Sequence, residues 1–165
     1  MNVVFLSLGG NLSPRSAYLL KSKAAIERYC GHIMAESPVY QTEAWGSDSV
    51  KKYLNQVVQL NTNLTALALM QQLGEIEASL GRVRGSERNA DRTVDLDILF
   101  FNHDIYNEHD LQIPHPRLHL RKFVLIPLHT LVPEFVHPVL KKNIDTLLRE
   151  NNDTLSVELF KNKDE

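Results

Sequence analysis

The stretch RTVDLDILFF, from Arg92 to Phe101, places two carboxylates inside a run that otherwise has the composition of a buried strand. Successive side chains of a strand point to opposite faces, so Asp95 and Asp97 are expected to share one face. Leu99 and Phe101 would continue that acidic face with apolar groups. The pattern predicts a strand whose acidic face is covered by protein at its far end and opens into a cleft at its acidic end.

Two neighbouring carboxylates on one strand face repel each other, and burying them without a partner costs several kcal/mol. A cation between them would remove that penalty, so one interpretation of Asp95 and Asp97 is a divalent metal site. The alternative is a strand whose acidic face is simply exposed to water, as is common in antiparallel sheets. The strand alone leaves both interpretations open.

The segments on either side of this strand are rich in arginine. Six of the nine arginines lie between positions 82 and 121, where there is no lysine. The planar guanidinium binds phosphate oxygens in pairs and stays charged at neutral pH. Arginines beside paired carboxylates predict a metal-bound polyphosphate, with Mg²⁺ held by the aspartates; the alternative is a salt-bridged surface loop. The six are Arg82, Arg84, Arg88, Arg92, Arg117 and Arg121.

A second polar pattern lies in YLNQVV, which begins at Tyr53 and reads as a strand. Tyr53 and Asn55 would share one face of it, and an aromatic ring beside an amide suits a flat heterocycle with hydrogen-bonding edges. Trp45, in the preceding loop, could close over such a ring. The alternative is an ordinary half-exposed strand, with Trp45 packed on the core.

Two histidines, His115 and His119, are four residues apart, a spacing that suits two metal ligands on one helix. Pro114 and Pro116 flank His115 and favour an extended or turn conformation there. A two-histidine zinc site is therefore the secondary interpretation. His115 as a hydrogen-bond donor to phosphate agrees better with the arginines nearby.

The periodicity along the chain predicts the order β-α-β-β-α-β. The first helix would have Ser13 as N-cap and Pro14 as its first residue, with Ala17, Leu20 and Ala24 on one stripe. The predicted fold class is α+β: a ferredoxin-like βαββαβ core with an antiparallel sheet and helices on one face, plus C-terminal additions. Thr65 is expected to cap the second helix, whose apolar stripe of Leu69, Leu73, Ile76 and Leu80 ends at Gly81.

Length and charge restrict the class of protein. The chain has 165 residues, a net charge of −2 and a sequence pI near 6.4. We expect one domain, residues 1–165, with the last few residues disordered. The chain has no excess of basic residues, so binding to nucleic acids or membranes is disfavoured. Its N-terminus does not resemble a secretory signal peptide, so the expected location is the cytoplasm.

The glycines of LGGNL, residues 8–12, lack the lysine ending of a P-loop and predict a turn.

Together these motifs resemble the 6-hydroxymethyl-7,8-dihydropterin pyrophosphokinase family. The resemblance covers most of the chain and is most specific in its Arg-x-x-Asp-Leu-Asp core. It implies a monomeric ferredoxin-like enzyme with two Mg²⁺ ions, which transfers pyrophosphate from ATP to the hydroxymethyl group of a dihydropterin, releasing AMP, in folate biosynthesis. The matching segments are LGGNL, YLN at 53–55, GRVR at 81–84, RTVDLDIL at 92–99 and PHPRLHLRKFVLIPL at 114–128.

The resemblance also implies roles for individual residues. Asp95 and Asp97 would hold both metal ions, and Asp95 would lie nearest the reacting hydroxyl. Arg82 and Arg92 would bind and stabilise the phosphates. The remaining ATP contacts would be Arg84, His115 and Arg121, with Ile98 and Leu111 against adenine. The pterin would be sandwiched by Tyr53 and Phe123, read along its edge by Asn55, and covered by the loop around Thr42 and Trp45.

Three residues depart from that family. Asn89 stands where a Trp is common, and Ala90 and Asp91 stand where Gly-Pro is common, so the sequence lacks an aromatic lid and adds a negative charge beside Arg92. Two other classes remain as alternatives. One is a noncatalytic ferredoxin-like regulatory or RNA-binding module; the other is a metal-dependent phosphohydrolase that uses both aspartates with His115 and His119.

Overall fold

A six-stranded antiparallel sheet forms the centre of the structure. The structure is a computed structural model that describes residues 1–46, 50–82 and 91–161. The sheet order is β5-β1-β4-β3-β8, and β2 also pairs with β4. A separate two-stranded ribbon contains β6 and β7. The strands are β1 (Asn2–Gly10), β2 (His32–Glu36), β3 (Tyr40–Thr42), β4 (Tyr53–Thr62), β5 (Asp95–Phe101), β6 (Tyr106–Asn107), β7 (Gln112–Ile113) and β8 (Val157–Leu159).

Helices pack on both faces of this sheet; the sequence predicted the core helices on one face and assigned no face to the C-terminal additions. The helices are α1 (Arg15–Tyr29), α2 (Ala66–Ser79), α3 (Lys122–Leu131) and α4 (Ile144–Glu150), with a 3₁₀ turn at Leu118–Leu120. α1 and α2 contribute to one apolar core, and α3 and α4 to a second. The second core is needed because Phe5, Val57 and Leu99 give the other sheet face an apolar end that must be covered.

The prediction for α1 was wrong in two respects. The helix begins at Arg15, because Pro14 is the N-cap and has extended backbone (φ −82°, ψ 108°). Leu20 is 64% exposed, and the buried stripe is instead Leu19, Ser22 and Ile26. Ser22 can lie in the core because its hydroxyl donates to the carbonyl of Tyr18 at 2.6 Å.

The prediction for α2 is confirmed. The Thr65 hydroxyl accepts a hydrogen bond from the backbone N–H of Ala68, as an N-cap should. Leu69, Leu73 and Ile76 are all buried. The helix ends before Gly81, whose φ of +86° lies in the left-handed region that favours glycine.

β5 contains a bulge that changes the predicted face of its last residues. Phe5 pairs with Phe100 while Leu6 pairs with Ile98, so Leu99 is an extra residue between the two pairs. Leu99 and Phe100 therefore both lie in the second core. Phe101, expected on the acidic face, lies in the first core instead.

The two glycines after Leu8 continue β1, although the sequence predicted a turn there. Gly9 pairs with both Asn55 and Asp95, so it occupies the centre of the sheet. A methyl group on Gly10 would overlap the backbone carbonyl of Thr93. Glycine is needed here because neighbouring groups approach the backbone closely.

Candidate active site

A cleft opens on the α3 side of the sheet, at the ends of β1, β4 and β5. It encloses about 640 Å³, counting the open mouth. Alternate residues of the three strands face it, as the period of a strand requires. Ten of the residues selected from the sequence line this cleft: Thr42, Trp45, Tyr53, Asn55, Arg92, Asp95, Asp97, His115, Arg121 and Phe123.

Asp95 is the electrostatic centre of the cleft. Arg92 donates to its Oδ2 at 2.8 Å, and the Arg82 Nη1 lies 3.5 Å from its Oδ1. All three side chains are largely covered, which strengthens these ion pairs relative to surface pairs. Burial opposes ionisation of Asp95, but the charges of Arg82 and Arg92 outweigh that effect and lower its pKa. The carboxylate of Asp95 is therefore ionised at neutral pH.

Asp97 lies two residues farther along the same strand, opposite Ser7 of β1. Burial raises the pKa of Asp97, and the negative charge of Asp95 raises it further. The charge of Arg121 acts in the other direction. A carboxylate held in this way favours an added cation, because a cation would offset both the burial and the repulsion.

The two aspartates suit Mg²⁺. In the parts of the chain that the structure describes, no group of three or more histidine, cysteine, aspartate and glutamate side chains is placed to bind a metal ion. Mg²⁺ is commonly bound by only one or two carboxylates, with phosphate oxygens and water completing its coordination. Asp95 and Asp97 supply hard oxygen ligands of that kind on one strand face, beside arginines able to hold the phosphates.

Asn55 provides the hydrogen-bonding edge of the cleft. Its Nδ2 donates to the hydroxyl of Thr42 at 2.6 Å, and that bond defines which way the amide points. Both residues are buried, with 4% and 2% of their surfaces exposed. A methyl group on Gly9 would overlap the Asn55 Oδ1, so this glycine leaves room for the amide.

Aromatic rings flank this amide and contact arginines. The Arg92 guanidinium lies over the ring of Tyr53, 5.9 Å from its centroid. The Arg121 guanidinium lies near two rings, 4.9 Å from the Trp45 centroid and 5.6 Å from the Phe123 centroid. These cation–π contacts link the aromatic part of the cleft to its cationic part.

His115 is a neutral hydrogen-bond donor in the cleft. Its Nδ1 accepts from the backbone N–H of Arg117 at 3.1 Å, so in the neutral ring the proton is on Nε2. Burial lowers the pKa of His115 to about 4, and the charge of Arg121 adds to this effect. The Nε2–H can therefore donate to an anion at neutral pH.

Several predicted residues lie elsewhere. Arg82 reaches the site through Asp95 rather than through the cleft lining. Ile98 and Leu111 are buried in the first core, and their contact with adenine stays a prediction. Arg84 lies outside the described residues. His119 lines a different groove, beside Asn151 and Asp153, which disfavours both the two-histidine zinc site and the phosphohydrolase.

The extra charge of Asp91 has specific partners. Its Oδ1 accepts from the side-chain amide of Asn11 at 2.8 Å, and its Oδ2 lies 3.2 Å from the Lys51 Nζ. Asn11 also accepts from the backbone N–H of Arg92 at 2.8 Å. Asp91 therefore connects the end of β1 to the segment that leads into β4. Asn89 and Ala90 lie outside the described residues.

Sequence reasoning missed several cleft residues. Ser7 and Gly9 lie on the sheet face that carries the aspartates of β5, and the pairing of β1 with β5 places them there. Val124 and Glu43 also line the cleft, and Leu99, which was predicted on the face of the aspartates, lines it as well. Glu77 of α2, which contacts both Arg82 and Asp95, has no signal of its own in the pattern because it falls on an apolar helix stripe.

The chain is similar to one family along most of its length. The family model for 7,8-dihydro-6-hydroxymethylpterin-pyrophosphokinase matches residues 5–133. The chain is 31% identical, over 92% of its length, to 93% of 2-amino-4-hydroxy-6-hydroxymethyldihydropteridine pyrophosphokinase from Aquifex aeolicus. It is 35% identical, over 84% of its length, to 95% of the protein of the same name from Porphyromonas gingivalis.

Solved structures show the same fold. The crystal structure of wild-type HPPK-DHPS from Plasmodium falciparum superposes on 90% of this chain with a TM-score of 0.73. The sequence identity is 18%, so this likeness concerns the fold alone. The chain spans 44% of that longer protein.

Proposed function

Because the chain belongs to the 7,8-dihydro-6-hydroxymethylpterin-pyrophosphokinase family, we propose that it transfers pyrophosphate from ATP to 6-hydroxymethyl-7,8-dihydropterin, as a step of folate biosynthesis. The observation that carries the proposal is that one cleft is lined by two different groups of residues, each suited to one substrate. One half of the cleft holds the aspartates and arginines for a metal-bound polyphosphate, and the other holds an amide and aromatic rings for a flat heterocycle. Substrates bound in both halves would meet at Asp95.

In the proposed reaction the hydroxymethyl oxygen bonds to the β-phosphorus of ATP. The bond from that phosphorus to the oxygen bridging the α and β positions breaks, AMP leaves with that oxygen, and the hydroxyl proton is released. Such phosphoryl transfers depend mainly on positioning and on charge stabilisation. Arg82 and Arg92 would stabilise the phosphate oxygens, and both already face the Asp95 carboxylate that would lie beside the reacting hydroxyl.

Asp95 and Asp97 would hold two Mg²⁺ ions, which, when bound, would neutralise charge on the phosphate oxygens. His115 would donate from Nε2 to a phosphate oxygen, with Arg121 and Arg84 as further cations. The neutral state of His115 supports this role, because its proton stays on Nε2 across the physiological range. Closure of the cleft over both substrates would exclude water, so that ATP is not hydrolysed.

For the pterin, Tyr53 and Phe123 would stack on the ring, and Asn55 would hydrogen-bond its edge. Thr42 supports Asn55 in that role because it fixes the amide orientation. Trp45 would cover the open side. Arg121, which contacts the rings of both Trp45 and Phe123 in this structure, would have to move toward the phosphates as the pterin enters.

The strand order supports assigning a ferredoxin-like core. Counting β2 and β3 as one interrupted strand, the core strands run β5-β1-β4-β2/β3 across the sheet, with α1 and α2 on one face. We propose that α3, α4 and β8 are additions to that core. The single domain, the monomeric state and the cytoplasmic location stay predictions. No helix within the described ranges has the length and apolarity needed to cross a bilayer.

The decisive experiment separates nucleotide products by chromatography after the pure protein is incubated with Mg²⁺, ATP and 6-hydroxymethyl-7,8-dihydropterin. One control omits the pterin and a second omits Mg²⁺. The expected result is AMP, formed only when both are present. ADP or inorganic phosphate as the product, or AMP formed without the pterin, would contradict the proposed transfer.

A further inference from the structure

Glu77 is a buried carboxylate at the back of the cleft. It belongs to α2, where Leu73 and Ile76 are its buried neighbours, and only 3% of its surface is exposed. A carboxylate on such an apolar helix face is unfavourable unless it is hydrogen-bonded or paired. The partners of Glu77 therefore indicate why an acid is placed there.

The first partner is the backbone of β5 between the two aspartates. The Glu77 Oε2 accepts a hydrogen bond from the N–H of Leu96 at 2.9 Å. β5 lies at the end of the sheet and has only β1 as a neighbour among the described strands. Glu77 thus accepts a hydrogen bond from a backbone N–H that has no partner strand on that side. This contact fixes β5 at Leu96, the residue between Asp95 and Asp97.

The second and third partners are site residues. The Arg82 Nε lies 3.8 Å from the Glu77 Oε2. A hydrogen bond also joins the two carboxyl groups, with protonated Glu77 as the donor and ionised Asp95 as the acceptor. Arg82 also contacts Asp95 at 3.5 Å. Glu77, Arg82 and Asp95 therefore form a closed triangle of contacts, in which each side chain limits the positions of the other two.

The end of α2 strengthens this triangle. The N–H of Arg82 donates to the carbonyl of Glu77 at 3.1 Å, and the N–H of Gly81 donates to that of Ala78 at 3.1 Å. These are the two bonds of a Schellman motif, made possible by the left-handed conformation of Gly81. Glu77 therefore positions Arg82 through its backbone carbonyl as well as through its side chain.

From these contacts we propose that Glu77 is a positioning residue, which sets the places of Asp95 and Arg82 for pyrophosphoryl transfer without touching the substrates. This inference rests on the proposed function. It predicts that loss of Glu77 lowers the rate of transfer more than it weakens binding of the pterin, because Tyr53, Asn55 and Phe123 belong to the heterocycle half of the cleft and Glu77 supports the carboxylate half.

The test compares Glu77→Ala and Glu77→Gln with Glu75→Gln, a control at an exposed position of the same helix. Glutamine keeps an acceptor for the Leu96 N–H and a donor for the Asp95 carboxylate, but it can carry no negative charge toward Arg82. We expect kcat to fall about 10- to 100-fold in Glu77→Ala, as is typical when a residue that orients a metal ligand is lost. Glu77→Gln should recover part of the rate, and KM for the pterin should change less than about twofold in all three variants.

A second readout needs no substrates. Amide hydrogen exchange at Leu96 should be slow in the wild type and in Glu77→Gln, and much faster in Glu77→Ala. If Glu77→Ala does not fold, Glu77→Gln still tests the proposal: a lower kcat with an unchanged KM for the pterin would support a positioning role for Glu77. Unchanged kcat in a folded Glu77 variant, or equal losses of kcat, pterin affinity and thermal stability, would overturn the proposal. A wild type that forms no AMP but shows protection at Leu96 would refute the proposed function and leave the contact established.

Discussion

Gly9 and Asn55 lie directly opposite each other on β1 and β4, and the amide oxygen of Asn55 occupies the space that a side chain at position 9 would need. In Gly9→Ala, we expect the new methyl group to push the Asn55 amide out of its present orientation. Pterin binding should weaken by about 1 to 3 kcal/mol, the usual penalty for a misplaced buried hydrogen-bonding group. Fluorescence titration with the pterin would measure this, and ATP binding should change little.

Gly10→Ala is the matched comparison. Its methyl group would meet the backbone carbonyl of Thr93, which cannot rotate away as a side chain can. That variant should lose thermal stability, whereas Gly9→Ala should lose mainly pterin affinity. If both variants lose stability and affinity to the same extent, the specific link between Gly9 and Asn55 is wrong.

Tyr53→Ala should weaken pterin binding by about 1 to 3 kcal/mol, the range for loss of a stacking aromatic ring. Tyr53→Phe keeps the ring that faces Arg92 and should bind the pterin nearly as well as the wild type. Isothermal titration with each ligand separately would distinguish the two effects. Equal losses of pterin and ATP affinity in Tyr53→Ala would point to misfolding instead.

Asp97→Asn should separate stability from activity. Burial and the charge of Asp95 both disfavour ionised Asp97, so a neutral amide should leave the metal-free protein at least as stable as the wild type. AMP formation should fall by about 100-fold or more, equivalent to about 3 kcal/mol of transition-state stabilisation. Thermal unfolding would measure the stability of Asp97→Asn, and the product assay would measure its AMP formation. Asp104→Asn, at an exposed position, is the control. Normal Mg²⁺-dependent activity in Asp97→Asn would exclude Asp97 as a metal ligand.

His137 should make the fold sensitive to acid. Its Nδ1 accepts from the backbone N–H groups of Val139 and Leu140, and burial lowers its pKa to about 4 from an ordinary value of 6.5. Because the unfolded chain binds the proton more readily, this stabilisation is complete above pH 6.5 and is lost as the pH falls toward 4. Between pH 7.5 and 5 the expected loss is about 2 kcal/mol.

His137→Asn tests this pH dependence, because asparagine can accept the same two backbone hydrogen bonds and does not titrate. The free energy of unfolding in urea should decline less for this variant than for the wild type as the pH is lowered. His115 titrates in both proteins, so its contribution cancels in the comparison. Parallel pH profiles for the two proteins would show that His137 is not the responsible group.

The fold was predictable where a pattern is set by local burial, and not where partners distant in sequence determine it. The stripe of α2 was correct because Leu69, Leu73 and Ile76 are all apolar and all buried. The stripe of α1 was wrong because Ser22, a polar residue that bonds within its own helix, takes a core position. The glycines of β1 were read as a turn, since the crowding by Asn55 and Thr93 arises only when the strands pair.

The same distinction applies to the site. Residues of β4 and β5 were found from strand alternation together with the chemistry of their side chains, and Tyr53, Asn55, Asp95 and Asp97 do share one cleft. Ser7 was not found, because its place depends on how β1 is aligned with β5. Glu77 was missed for a related reason: nothing local to α2 specifies that its buried face meets the middle of β5.

The bulge at Leu99 divides β5 into two parts that respond differently to changes of chain length. On the acidic side of the bulge, removing Leu96 would make Asp95 and Asp97 consecutive and turn their carboxylates to opposite faces of the sheet. At Leu99 itself, a deletion would restore regular pairing with β1 and leave Asp95 and Asp97 where they are. The acidic end of the strand therefore tolerates no change of length between its two aspartates, whereas the bulge can lose one residue without moving them.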